Sequence, residues 1–171
     1  MSETKPQQEK IAKPANHDHN VCIKKAILRA EKLCADEGER FTNLRRQVLE
    51  LIWAEHKPVK AYDLLSTLSG MRSGVAPTTV YRTLDFLQEQ GLVHKIESLN
   101  AYMGCSQPDE SHSGHFFICE SCSEVTEIEN AIISEGLKQA AEDEAFAIRR
   151  ETVELFGLCS RCQTEPDARV N

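Results

Sequence analysis

From residue 21 to residue 91 the apolar positions recur at intervals of three and four; just beyond residue 91 they shorten to two runs of strand length. Ile23, Ile27, Ala30 and Cys34 share one face, which predicts a helix over 21–36 closed by Gly38. A second helix begins after Thr42, a residue whose hydroxyl suits an N-cap, and carries Leu44, Val48, Leu51 and Ile52 at helical spacing. Trp53 lies near its end and Pro58 stops it. Ala61, Leu64, Leu65 and Leu68 mark a third helix, ending near Gly70. Pro77, a favoured first-turn residue, opens a fourth, with Val80, Leu84 and Leu87 inward and Gly91 closing it. Residues 92–96 and 101–104 then read as the strands of a hairpin. Short helices followed by a small hairpin is the order of a winged helix-turn-helix.

A polar stretch over 106–114 separates this half from a second one. There, residues 115–119 and 124–128 predict another hairpin. Ile132, Ile133, Leu137, Ala140 and Ala141 predict a helix over 131–144, and 146–158 reads as a long strand. The expected class is α+β, a winged helix-turn-helix domain followed by an α/β domain. The expected organisation is a flexible tail over 1–20, the winged-helix domain over 21–104, a hinge over 105–114, the second domain over 115–163 and a charged tail over 164–171. His17 and His19, in the polar start, read as solvated residues or weak metal ligands.

Charge sharpens the division. The chain carries a net charge of −7, yet residues 21–91 hold 11 Lys/Arg against 9 Asp/Glu, and residues 92–171 hold 6 against 15. A mildly basic half joined to an acidic one keeps a nucleic-acid partner open, because phosphate contacts are local. The polar start has no apolar segment of signal-peptide type, and no run approaches bilayer-spanning length. The expectation is a cytoplasmic chain with no membrane partner and seven reduced cysteines available to metal.

Four of those cysteines form two pairs, Cys119-Glu-Ser-Cys122 and Cys159-Ser-Arg-Cys162, with 36 residues between them. Two such knuckles are the ligand set of a closed tetrahedral zinc site. The alternatives are plain surface turns or a redox dithiol, for which a single pair opening a helix after a strand would be the pattern. Cys34 reads as a core residue, and Cys22 has no evident partner.

A fourth helix used for recognition would present Thr78, Thr79, Tyr81 and Arg82 outward. Arginine can grip guanine bidentately, and threonines in a first turn sit where backbone N–H groups favour phosphate. Lys60 and Tyr62, beside the third helix, could brace the DNA backbone; equally, all six could be ordinary solvated residues. His94, Cys105, His112 and Glu127 bracket the linker and offer imidazole, thiolate and carboxylate, enough for a second tetrahedral zinc site, with His115 as an alternative ligand. Taken singly, each also reads as a surface or edge-strand residue.

The run Pro77-Thr-Thr-Val-Tyr-Arg-Thr-Leu-Asp-Phe-Leu-Gln-Glu-Gln-Gly-Leu-Val-His94 resembles the ferric uptake regulator family of metal-responsive repressors. So do His115-Phe-Phe-Ile-Cys-Glu-Ser-Cys122 and Gly157-Leu-Cys-Ser-Arg-Cys162. Ala61-Tyr-Asp-Leu-Leu65, the stretch Phe86-Leu-Gln-Glu-Gln-Gly-Leu-Val-His-Lys95 and Cys105 are most similar to its zinc uptake regulator branch. The resemblance implies a homodimer whose second domain dimerises, with double-stranded operator DNA as partner and zinc as co-repressor, two ions per subunit. It assigns Cys119, Cys122, Cys159 and Cys162 to a structural zinc, and His94, Cys105, His112 and Glu127 to a regulatory one. It makes Arg82 a base reader and Tyr62 and Tyr81 DNA contacts. It implies a regulator of zinc uptake genes, not an enzyme. A sibling sensor for iron, manganese or peroxide is the nearest alternative reading, and a CxxC thiol oxidoreductase the alternative of another class. This chain has Thr42-Asn-Leu-Arg45 where the family often has Thr-Pro-Gln-Arg, and Arg150 and Phe156 in the last strand, where some members carry histidines for a third metal site.

Overall fold

A computed structural model describes residues 19–54, 57–71, 74–108 and 114–164. The chain is α+β, with two three-stranded sheets separated along the sequence.

The first half runs α1 (His19–Asp36), α2 (Asn43–Trp53), β1 (Val59–Lys60), α3 (Ala61–Met71), α4 (Pro77–Glu89), β2 (Val93–Ile96) and β3 (Ala101–Gly104). Local chemistry sets several boundaries. The Thr42 hydroxyl accepts the Arg45 N–H at the start of α2. Pro77 occupies the first turn of α4, and Gly91 beyond its end takes φ +65°, a conformation glycine adopts without strain. The apolar faces of the four helices meet in one core that includes Ile27, Cys34, Val48, Ile52, Leu64, Leu68, Val80 and Leu84.

The hairpin β2–β3 gains a third strand, because the two-residue β1 pairs with the far edge of β3, Val59 opposite Tyr102. Two residues carry too little period to announce a strand, so β1 is absent from the sequence-based expectation. The wing is tied to the helices at Gly104, where a Cβ would run into the Trp53 indole. Glycine lets the last residue of β3 lie against the end of α2.

The second half runs β4 (Gly114–Cys119), β5 (Val125–Ile128), α5 (Ala131–Asp143), β6 (Thr152–Gly157) and α6 (Ser160–Thr164). Its strand order is β5-β4-β6, with β4–β5 antiparallel and β4–β6 parallel across the α5 connection. The long strand expected over 146–158 is only Thr152–Gly157. Strand β4 offers six partners, from Gly114 opposite Thr152 to Cys119 opposite Gly157, and among the described residues no further one precedes Gly114 to pair before Thr152. The chain leaves α5 through Ala145 at φ +51°, with the Phe146 N–H on the Ala141 carbonyl. Helix α5 starts at Asn130, whose side chain accepts the Ile132 N–H, yet it buries none of its residues.

Candidate metal centres and nucleic-acid interface

The first knuckle is the turn joining β4 to β5. Cys119 closes β4, the Ser123 N–H bonds the Cys119 carbonyl, and Ser123 takes φ +57°. The second knuckle joins β6 to α6, with Cys159 just before the helix and Cys162 inside it. Parallel pairing of β4 with β6 brings both strands to the same end of the sheet, so the knuckles meet. One sulfur from each of Cys119, Cys122, Cys159 and Cys162 lies within 4.8 Å of every other.

The fit to zinc can be judged from these sulfurs. Zinc–sulfur bonds of about 2.3 Å in a tetrahedron require sulfur–sulfur edges of about 3.8 Å. The Cys122–Cys159 sulfurs stand 3.8 Å apart. The Cys159 N–H points at the Cys119 sulfur at 3.3 Å, and that backbone donor is the chief reason the Cys119 thiol is lowered to about 6. Cys162 moves the other way, up to about 11: a Ser121 hydrogen bond lowers it, but neighbouring thiols and burial outweigh that. Four thiols so close cannot all ionise by themselves, whereas a divalent cation among them removes the repulsion.

A second cluster lies where the two halves touch. His94 comes from β2, Cys105 follows β3 and Glu127 belongs to β5; one ligand atom from each falls within the same 4.8 Å limit. The Cys105 N–H bonds the Leu92 carbonyl at 3.0 Å, so Cys105 sits at the base of the wing beside His94. His94 Nε2 and Glu127 Oε1 stand 2.6 Å apart. An ion bonded to both at about 2.0 Å would spread them to about 3.3 Å, a small side-chain adjustment. The His94 ring also packs edge-on against Phe116, with centroids 5.4 Å apart. Nitrogen, sulfur and oxygen donors converging at a half-buried point suit zinc.

His112 lies outside the described residues. His115 is 1% exposed, and its Nε2 faces Glu151 at 2.7 Å, outside the three-residue cluster.

Two residues near this cluster escaped sequence reasoning. The Ser106 hydroxyl donates to Glu127 Oε2 at 2.9 Å, with its N–H at 3.3 Å, and Arg29 of α1 donates to the Ser106 carbonyl at 2.8 Å. Adjacency to Cys105 was the available signal for Ser106; Arg29 gave none, being 77 positions away.

The residues considered for DNA contact lie on the surface of the first half. Thr78, Thr79, Tyr81 and Arg82 are exposed on α4, opposite buried Val80, Leu84 and Leu87. Ala76, at the N-cap of α4, has no side-chain oxygen with which to cap the helix. Lys60 is exposed at the end of β1 and Tyr62, 76% exposed, follows in α3.

The ferric uptake regulator family pattern matches residues 36–156. The zinc uptake regulation protein of Escherichia coli (strain K12) is 39% identical over 137 residues, 80% of each chain. Among solved structures, a zinc uptake regulator complexed with zinc and DNA superposes with a TM-score of 0.79 at 38% identity, covering 83% of this chain and 95% of that one. Holo XcZur superposes at 0.75 with 39% identity, covering 85% and 99%.

Proposed function

The chain belongs to the ferric uptake regulator family, and on that premise we propose that it is a zinc-responsive transcriptional repressor that binds palindromic operator DNA as a homodimer. The observation that carries this reading is the His94–Cys105–Glu127 cluster, because its ligands come from both halves of the fold. The domains are 21–104 for DNA binding, 105–114 as hinge and 115–163 for dimerisation. Each subunit takes two zinc ions. Cys119, Cys122, Cys159 and Cys162 hold a structural one; His94, Cys105, Glu127 and His112 hold the regulatory one. The thiolate of Cys105 favours zinc over manganese, which prefers harder oxygen donors. No helix among the described residues is long and apolar enough to cross a membrane, and the setting proposed is the cytoplasm.

Zinc at the hinge supplies the positive charge that lets a thiolate and a carboxylate share one half-buried point with an imidazole. The protein's own part is orientation. His94 and Cys105 stand at the base of the wing, and Glu127 stands on the second sheet, so satisfying one ion requires a single arrangement of the halves. In a dimer that arrangement sets the spacing of the two α4 helices to successive major grooves. Arg82 reads a base edge, Tyr81 and Tyr62 contact the DNA, and Thr78, Thr79 and Lys60 hold phosphate. The dimer is supported by the second half's apolar surface, where Phe117, Ile132, Phe146 and Leu155 are exposed. Target genes for zinc uptake are the reading carried over from the relatives.

The test is a metal titration. Protein holding only its four-cysteine zinc is mixed with an operator selected from random DNA, and binding is followed against free zinc, iron and manganese. The proposal expects zinc to drive binding at far lower free concentration than the others. Metal-independent binding, or equal driving by iron, would overturn it.

A further inference from the structure

The wing touches the second sheet at its base, its middle and its tip, and the contact at the tip involves no metal ligand. In the register of that sheet, Phe116 of β4 lies opposite Glu127 of β5 on one side and opposite Glu154 of β6 on the other. Cross-strand partners point to the same face, so Glu127, Phe116 and Glu154 form one row across the sheet, spanning about 10 Å between the outer two. The row meets the wing along its length. Glu127 faces His94 at the wing's base. Phe116 packs in a small core with Ile96 and Met103 of the wing strands. Glu154 reaches the wing's tip, the turn between β2 and β3, where its two carboxylate oxygens accept the N–H groups of Glu97 at 2.7 Å and Ser98 at 3.1 Å.

A carboxylate straddling two successive backbone N–H groups is a directional, charge-assisted contact. Side chains reinforce it. Arg150, just before β6, donates to the Glu97 carboxylate at 3.0 Å, and Lys95 holds its other oxygen at 2.5 Å. These two cations offset the repulsion that Glu97 and Glu154 would otherwise exert on each other.

One attachment point makes a pivot; two fix a direction. The cluster holds the base of the wing and Phe116 packs against its middle, but apolar packing is non-directional, so without a contact at its tip the hairpin could still tilt about His94 and Cys105, carrying α4 with it. We propose that Glu154 is a positioning residue for the metal response: it pins the wing tip to the second sheet, holds the halves in the arrangement the hinge ligands require, and so sets the affinity of that site for zinc. This rests on the regulatory reading of the hinge cluster given above. Its thermodynamic form is simple. A metal that binds only one arrangement shows an affinity scaled by the fraction of protein already in it. A contact that raises this fraction tightens zinc without touching it, and tightens DNA binding by the same route.

The experiment uses the full-length dimer with its four-cysteine zinc in place. Hinge-zinc affinity is measured by chelator competition without DNA, for wild type, Glu154→Ala and Glu154→Gln. Hydrogen exchange at the Glu97 and Ser98 amides is followed in parallel. Glu154→Ala should weaken hinge zinc by about tenfold, equivalent to about 1.4 kcal/mol, and unprotect both amides. Glu154→Gln, which keeps one acceptor oxygen and the side-chain shape, should fall between the two. The four-cysteine zinc, the dimer and the melting temperature should stay as in wild type. Wild-type hinge affinity in either variant would overturn the proposal. So would loss of the dimer or the four-cysteine zinc along with the hinge response, since that would mark Glu154 as part of the general fold. A wild-type protein with no hinge zinc at all would instead sink the regulatory reading itself.

Discussion

The two halves of the chain are stabilised in different ways. Among the described residues, the helical half gathers sixteen buried side chains, Ile27 to Tyr102, into one core. The second core holds five, and two of them, Ile96 and Met103, belong to the wing. Beyond the wing, Phe116, Ile118 and Val125 are left to hold a sheet and a helix, while Ile132 stands 78% exposed on α5. At about 1.5–3 kcal/mol per fully buried large side chain, three residues cannot offset the ordering cost of some fifty. The first half can stand on its own packing. The second has to draw order from outside it, which the proposed metal at the knuckles and a second copy over its apolar face would supply.

That contrast can be broken most forcefully at the knuckles. Cys119→Ser or Cys159→Ser should lose one tightly held zinc and unfold or monomerise the second half, while the helices of the first half keep their structure. Apparent free energies of about 10–16 kcal/mol for structural zinc make this the largest effect expected. Metal content, sedimentation and a melting curve followed by circular dichroism would show it, and a mutant with wild-type stability and dimer would remove the structural role.

The second source of order is the partner copy. Phe117 and Leu155 are cross-strand partners on the face opposite the Glu127–Phe116–Glu154 row, and both are about half exposed. Leu155→Glu should weaken the dimer by at least about a hundredfold, since a twofold interface buries each changed residue twice. Sedimentation equilibrium reads this directly; an unchanged dimer would place the interface elsewhere.

Between the halves, Cys105→Ser or His94→Ala should leave a folded dimer with its first zinc but no response to added zinc. Either substitution removes one of the few proposed ligands of the hinge site without touching either core. Zinc-dependent operator binding like that of wild type in Cys105→Ser would exclude this cysteine from the site.

The smallest effect belongs to the outer surface of the first half. Arg82→Ala should cost about 1–3 kcal/mol on the operator and relax preference at one base position per half-site. Binding to random DNA should fall much less, because the proposed phosphate contacts from Thr78, Thr79 and Lys60 would remain. Competition between operator and single-base variants at fixed salt measures the difference; equal losses on both would make Arg82 a phosphate contact.

How much of this was readable beforehand follows the same contrast. The first half was legible because its helices bury one face each, so Val48, Leu64, Val80 and Leu84 repeat with the helical period, and Thr42, Pro77 and Gly91 punctuate them. The apolar stripe of α5 was equally visible, but pattern alone does not say whether a stripe meets this chain or another, and here it buries nothing. Strand β6 was overdrawn because its length depends on β4, six residues long and over thirty positions away. At the sites, the cysteine pairs declared themselves by spacing. His94, Cys105 and Glu127 were visible as residues of ligand type around the linker, but their spacing did not distinguish them from surface residues, because the contact between two different sheets brings them together. Ser106 and Glu154 carried no motif; one bonds a carboxylate 21 positions ahead, and the other reaches a turn 57 positions back.

The central claim is that the hinge zinc and the DNA favour the same arrangement of the two halves. Linkage makes that measurable in one quantity, the affinity of the hinge site for zinc with and without saturating operator. The dimer, holding its four-cysteine zinc, is titrated against a chelator of known affinity in both conditions. The account predicts that operator tightens hinge zinc by the same factor by which hinge zinc tightens operator. Hinge zinc bound equally well with and without operator would contradict it.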